Sequence, residues 1–178
     1  MALTREHGVS DVEDVRKHTI SILVDDETGV LARVAGLFSG RGYNIESLTV
    51  AQVDAKNKLS RITIVALGTP MVIEQIKAQA NRLVPVHDVV DLTVDGPAVE
   101  REMALVKTVA SGEKRVESLR IADIFRARAV DSSHNSFIFE ITGSTDKIDS
   151  FIDLMRPLGL TEISRTGVVA MVRGTKPT

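Results

Sequence analysis

The sequence contains no cysteine and no tryptophan, and aromatic residues make up only 3% of its 178 positions. Without cysteine there can be no disulfide, no thiolate zinc site and no cysteine nucleophile. The absence fits a reducing cytoplasm, which is the expected location. Scarce aromatics leave the core to Val, Ile, Leu and Ala. Charge of one sign is also missing: the formal net charge is −2, so no field draws the chain to nucleic acid or to an anionic membrane. No apolar run approaches the ~20 residues needed to cross a bilayer. The opening residues, Met1 to His7, are polar and lack the apolar core of a signal peptide. What remains is 43% hydrophobic and 26% charged, the profile of a soluble globular chain long enough for one ordinary domain or two small ones.

Residues 1–17 carry many charges and no sustained period, and read as a flexible N-terminal tail. From His18 the pattern tightens. Ile20, Ile22 and Val24 alternate with Thr19 and Ser21, which predicts a half-buried strand. Val30, Val34, Leu37 and Phe38 recur at i, i+4, i+7 and i+8, one face of a helix over about Val30 to Arg41. Thr28 or Gly29 can cap its start, and Gly40 and Gly42 break its end. Strands follow at Ile45–Gln52 and Ser60–Leu67, separated by the polar turn Asp54–Lys58. Thr69 and Pro70 open a second helix with Ile73, Ile76, Ala80 and Leu83 on one face, stopped by Pro85. Val90, Leu92 and Val94 alternate as a fourth strand. The order β-α-β-β-α-β is the ferredoxin-like pattern, an antiparallel sheet with both helices on one face and the other face free for a partner.

Asp95-Gly96-Pro97 marks the expected boundary between a unit at 18–95 and a second at 98–174. The pattern then recurs. Glu102–Val109 is strand-like, and Val116, Leu119, Ala122 and Phe125 form an apolar stripe. A short strand at Ala127–Val130 and a longer one through Phe137, Phe139 and Ile141 follow. Ile148, Phe151, Ile152 and Met155 fall at i, i+3, i+4 and i+7, and Leu160–Ile163 and Val168–Val172 close the chain as strands around Gly167. The fold class is α+β, with two ferredoxin-like βαββαβ domains.

The turn Asp25-Asp26-Glu27-Thr28-Gly29 leads into a helix start with bare backbone N–H groups, a plausible seat for a ligand carboxylate. By itself Gly29 reads as well as a cap glycine, Asn44 as a left-handed turn residue, and the acidic run as a solvated loop. His7, His18, His87 and His134 lie apart, with no metal or triad spacing, so neither a catalytic residue nor a metal site is expected. Phe137 and Phe139 lack the basic residues of an RNA-binding sheet and read as core. Arg120, Arg126 and Arg128 read by default as solvated helix ends.

The segment Arg41-Gly42-Tyr43-Asn44-Ile45-Glu46-Ser47-Leu48-Thr49-Val50, following Leu31-Ala32-Arg33-Val34-Ala35-Gly36-Leu37-Phe38, closely resembles the N-terminal domain of the acetolactate synthase (acetohydroxyacid synthase) small regulatory subunit family. Ser60-Arg61-Ile62-Thr63-Ile64 resembles its third strand. Val99-Glu100-Arg101-Glu102 with Leu105-Val106-Lys107, and Ser164-Arg165-Thr166-Gly167-Val168-Val169 with Arg173-Gly174, resemble the start and end of its C-terminal domain. The resemblance spans His18 to Gly174.

The resemblance implies that the N-terminal unit is an ACT domain, a module that binds amino acids and pairs side by side into a homodimer. It implies a chain with no chemistry or cofactor of its own. That chain would activate a separate catalytic subunit that uses thiamine diphosphate, Mg²⁺ and FAD to condense two pyruvates, or pyruvate with 2-oxobutyrate. It would also confer feedback inhibition by valine in branched-chain amino acid biosynthesis. Carried over, the effector site falls on Asp26, Gly29, Val30 and Leu31 of one protomer and Asn44 and Ile45 of the other. One position departs from the pattern: the family often has Asn where Asp26 stands. A carboxylate there can take the effector's ammonium but cannot donate to its carboxylate. The alternative is a free-standing amino-acid-sensing ACT protein that regulates another enzyme.

Overall fold

A computed structural model describes residues 15–40, 42–175 and 177–178. Residues 1–14 of the expected tail lie outside the described residues, as does Arg41, the expected end of the first helix. The first unit runs β1 (Arg16–Asp25), α1 (Val30–Ser39), β2 (Ile45–Asp54), β3 (Leu59–Gly68), α2 (Pro70–Ala80) and β4 (Val86–Asp91). Its sheet is antiparallel, in the order β2-β3-β1-β4. β1 starts at Arg16, so Arg16 and Lys17 belong to the strand rather than to a tail.

Alternation along β1 and β3 sorts their residues between two faces. Ile20, Ile22, Val24, Ile62, Ile64 and Ala66 join Val30, Val34 and Phe38 of α1 and Ile73, Ile76 and Ala80 of α2 in one buried core. Thr69 caps α2, its side chain accepting from the Val72 amide at 3.4 Å.

The fourth strand ends earlier than its alternation predicts. Asp91 Oδ1 accepts from the Thr93 amide at 2.9 Å, the Asp91 amide donates to Asp95 at 3.0 Å, and Leu92–Val94 become a turn. A short carboxylate that bonds its own following backbone gives the chain an alternative to the ladder. Asp91 Oδ2 also lies 2.6 Å from His18 Nδ1, and both residues are buried.

The second unit repeats the order: β5 (Ala98–Val109), α3 (Gly112–Phe125), β6 (Arg128–Ser132), β7 (Ser136–Gly143), α4 (Thr145–Met155) and β8 (Leu160–Arg165), with β9 (Val169–Val172) added. Its sheet runs β6-β7-β5-β8, and β9 pairs with the first residues of β5. A separate core forms from Ala104, Val106, Phe137, Phe139, Ile141, Ile148, Phe151, Ile152 and Met155. Phe139 and Phe151 meet edge to face at 6.2 Å.

The apolar stripe expected on α3 is misphased. Val116 is 60% and Leu119 39% exposed, whereas Ser118, Ile121 and Ala122 face the core. Steps of three residues fall ~60° short of a full turn at 3.6 residues per turn, so a stripe at 116, 119, 122 and 125 walks roughly halfway round the helix. Only its end, Ala122 and half-buried Phe125, meets the core. β6 is shifted two residues from the expected Ala127–Val130 at its C-terminal end and is exposed throughout.

The helix-free face of the first sheet is also not wholly open. Thr19, Ser21, Thr63 and Val65 point away from the helices and are buried. The chain's own C-terminal segment reaches this face. The Val168 amide donates to Ser47 Oγ at 2.9 Å, Thr49 Oγ1 donates to the Val168 carbonyl at 3.0 Å, and Arg61 donates to both Ser21 Oγ and the Thr178 carbonyl. Burial pulls the Arg61 guanidinium below its usual pKa, against the opposing field of Asp88. Among the described residues no helix is long and apolar enough to cross a membrane.

Two substitutions test this account. Phe151→Ala removes a fully buried ring and is expected to cost about 3–5 kcal/mol, while Val116→Ser should stay within about 0.5 kcal/mol of the parent; urea unfolding measures both. Gly167→Ala should cost at least ~1–2 kcal/mol. Gly167 sits at φ +84°, and a Cβ there would lie 2.7 Å from Ser47 Oγ. Faster deuterium exchange at the Val168 amide would localise that loss to the contact between the two units.

Candidate functional site

The turn after β1 is held from three sides. The Asp25 amide donates to the Pro85 carbonyl at 2.8 Å and the Asp26 amide to the Lys58 carbonyl at 2.7 Å. His87 Nε2 lies 2.7 Å from Asp25 Oδ1. The Asp26 carboxylate is exposed but not loose: Gln52 Nε2 donates to Oδ2 at 2.7 Å and Ser60 Oγ to Oδ1 at 3.1 Å. β2–β3 register pairs Gln52 with Ser60, and both flank the turn. Neither donor stands out in the sequence, since their meeting depends on a cross-strand pairing. The signal available was parity: Gln52 continues the face of Leu48 and Val50.

Gly29 is the N-cap of α1, with φ +86° and no capping side chain. A left-handed residue is needed there, and a Cβ would meet nothing within 4 Å, so the glycine leaves open space above the helix start. Val30 is buried and Leu31 is 40% exposed. The Val30 amide reaches the Glu27 carbonyl only at 3.5 Å, and the Leu31 and Ala32 amides have no backbone partner among the described residues. Donors of this kind at the positive end of a helix suit a carboxylate. Arg33 pairs with Glu27 at 3.0 Å on the outer side.

Asp26, Gly29, Val30 and Leu31 therefore come together, whereas Asn44 and Ile45 do not join them within one chain. Asp25 pairs with Leu59 and Leu59 with Asp54, so the turn lies at the end of the sheet where β2 finishes. Ile45 pairs with Ala66 at the other end. The seven residue steps from Ile45 to Gln52 span roughly 23 Å of strand. Asn44 is exposed, and β2 is an edge strand, with Leu48 37%, Val50 42% and Val53 52% exposed.

Among the described residues no group of three or more His, Asp or Glu side chains is arranged to hold a metal ion. His18 is tied to Asp91 and His87 to Asp25, and His7 lies outside the described residues. His18 and His87 thus act as local ties on the first sheet.

Comparison with known proteins shows the family. Residues 20–88 match a family model described as an AHAS small subunit-like ACT domain, and residues 101–174 match one described as the small subunit of acetolactate synthase. A probable acetolactate synthase small subunit of Archaeoglobus fulgidus is 52% identical over 160 residues, covering 90% of this chain and 99% of that one. The acetolactate synthase small subunit of Aquifex aeolicus is 49% identical over 160 residues, covering 89% of this chain and 82% of its own. The crystal structure of the acetolactate synthase small subunit from Thermotoga maritima superposes with a TM-score of 0.81 at 41% identity, over 90% of this chain and 99% of that chain. With both units matched along their length, the chain belongs to the acetolactate synthase small-subunit family and carries that family's ACT domain at its N-terminal end.

Proposed function

We propose that this chain is the regulatory subunit of an acetolactate synthase. It activates a separate catalytic subunit, which holds thiamine diphosphate, Mg²⁺ and FAD, and makes that subunit sensitive to valine. The observation that carries this reading is the family match over both units, 20–88 and 101–174. A free-standing ACT sensor would not need the second.

Valine, on this reading, lies between two protomers. Its ammonium meets Asp26, which Gln52 and Ser60 hold in place. Its carboxylate takes the open amides at Leu31 and Ala32, a helix-start preference worth about 0.3–1 kcal/mol. The partner supplies Asn44 and Ile45. The separation of these residues from Asp26 within one chain supports the shared site. Two β2 edges paired antiparallel would turn the start of one strand toward the end of the other, and would cover the exposed Leu48 and Val50. The small subunit then acts by biasing the catalytic partner between states. Such coupling is typically about 1–3 kcal/mol, roughly 5–150-fold, and is reciprocal.

The test is an assay of the cognate catalytic subunit with and without this chain, followed by a valine titration. The rate should rise with the chain and fall with valine. No rise would sink activation, and no fall would sink feedback alone. Asp26→Ala and Asn44→Ala should each weaken valine about ten-fold or more by calorimetry, through lost charge-assisted or paired hydrogen bonds. In sedimentation the chain should run as a dimer, and a monomer that binds valine tightly would refute the shared site.

A further inference from the structure

A cleft of about 700 Å³ lies between the helix-free face of the first sheet and the C-terminal unit. It is separate from the effector turn: its β1 residues are Lys17 and Thr19, at the far end of that strand from Asp25. Five carboxylates line it, those of Glu46, Glu100, Glu102, Asp146 and Asp149, against two cations, Lys17 and Arg165. Three negative charges are therefore uncompensated.

Both cations are already committed. Lys17 Nζ lies 2.9 Å from Glu46 Oε2. Arg165 grips Glu102 with two bonds of 2.7 Å and Asp149 with one of 2.6 Å. Glu100 and Asp146 have no ion-pair partner among the described residues. The Lys17 ammonium is held above its ordinary pKa, chiefly by its bond to Glu46 and further by the fields of Asp149 and Asp146, as a negative cleft requires.

A second, independent feature is Thr19. It is only 4% exposed. Its amide donates to Thr93 Oγ1 and its carbonyl accepts from Leu92, yet its own hydroxyl, in the cleft lining, has no partner among the described residues. Among the described residues the one sealed side-chain oxygen without a partner is Thr108 Oγ1, so the Thr19 hydroxyl is reached from the cleft. Val65, paired with Thr19 across β1 and β3, adds an apolar surface beside it.

We infer that this cleft binds a small aliphatic di- or polyamine, whose ammonium groups compensate Glu100 and Asp146 and donate to Thr19 Oγ1 while its methylenes lie along Val65. An anion is disfavoured by the field. A valine-like zwitterion would find no free cation for its carboxylate. Because the lining comes from β1, β2 and β3 on one side and from β5, α4 and the β8–β9 turn on the other, the bound amine bridges the two units.

Calorimetry of the full chain with spermidine, at physiological ionic strength, tests this. One saturable site per chain is expected. The double variant Glu100→Gln, Asp146→Asn should weaken it about ten-fold or more, and the near-isosteric Thr19→Val should weaken it several-fold, with melting curves confirming that both variants fold. Glu113→Gln, Asp131→Asn, which removes two exposed charges outside the cleft, should bind as the parent does. The double cleft variant should also keep its response to valine. No saturable heat, equal affinity in the cleft variants, or equal weakening by the distant pair would overturn the proposal. A saturable site for magnesium chloride alone would overturn the amine assignment.

Discussion

Ten consecutive residue pairs couple β1 to β3, from Arg16 with Gly68 to Asp25 with Leu59. A slip of one residue would send Ile20, Ile22 and Val24 to the helix-free face and bring Thr19 and Ser21 into the core. The isoleucines of the two strands are almost wholly buried against Phe38, Ile73 and Ile76, so such a slip would expose most of that core. The same ladder fixes where the candidate effector turn sits. Asp25 is its last pair, and α1 starts just beyond, with its first buried residue Val30 anchoring the helix and its amides left uncovered.

The ladder also decides which face meets the C-terminal unit. The hydroxyl-bearing residues that alternate with the isoleucines would make a poor core. Two of them on β2, Ser47 and Thr49, instead hold the backbone of Val168. On the far side of this junction Arg165 binds Glu102 of β5 and Asp149 of α4 with its whole fork, which holds its guanidinium far above the usual arginine pKa, first through Glu102. The two units therefore meet through side chain–backbone bonds rather than through a shared apolar core. An interface of that kind can shift at modest cost.

Much of this was legible in the chain. Apolar alternation over β1, β3 and β7 and the i, i+3, i+4, i+7 spacing in α4 mark the face packed on the core, and these elements appear in the structure where the pattern has them. Pattern failed where a second interaction competed with periodicity. Asp91 ended β4 by bonding its own backbone and His18. On α3 the core-facing positions include Ser118, whose hydroxyl bonds the Arg115 carbonyl at 2.8 Å, so polarity hid the buried face and the exposed Val116 and Leu119 drew attention to the wrong one.

For the candidate site, local sequence was enough to show the acidic turn and the Gly29 helix start, because a turn, a left-handed glycine and an uncapped helix are properties of adjacent residues, whereas Asp26 was singled out only by the family resemblance. The family likeness, too, is carried by the linear order of side chains. Tertiary structure alone decided that Gln52 and Ser60 grip Asp26, that Asn44 lies at the opposite end of the sheet, and that the face expected to be free receives the chain's own C-terminal segment. Those outcomes depend on strand register and on how two separately cored units meet. Both are set by contacts between residues far apart in sequence, which no local period encodes.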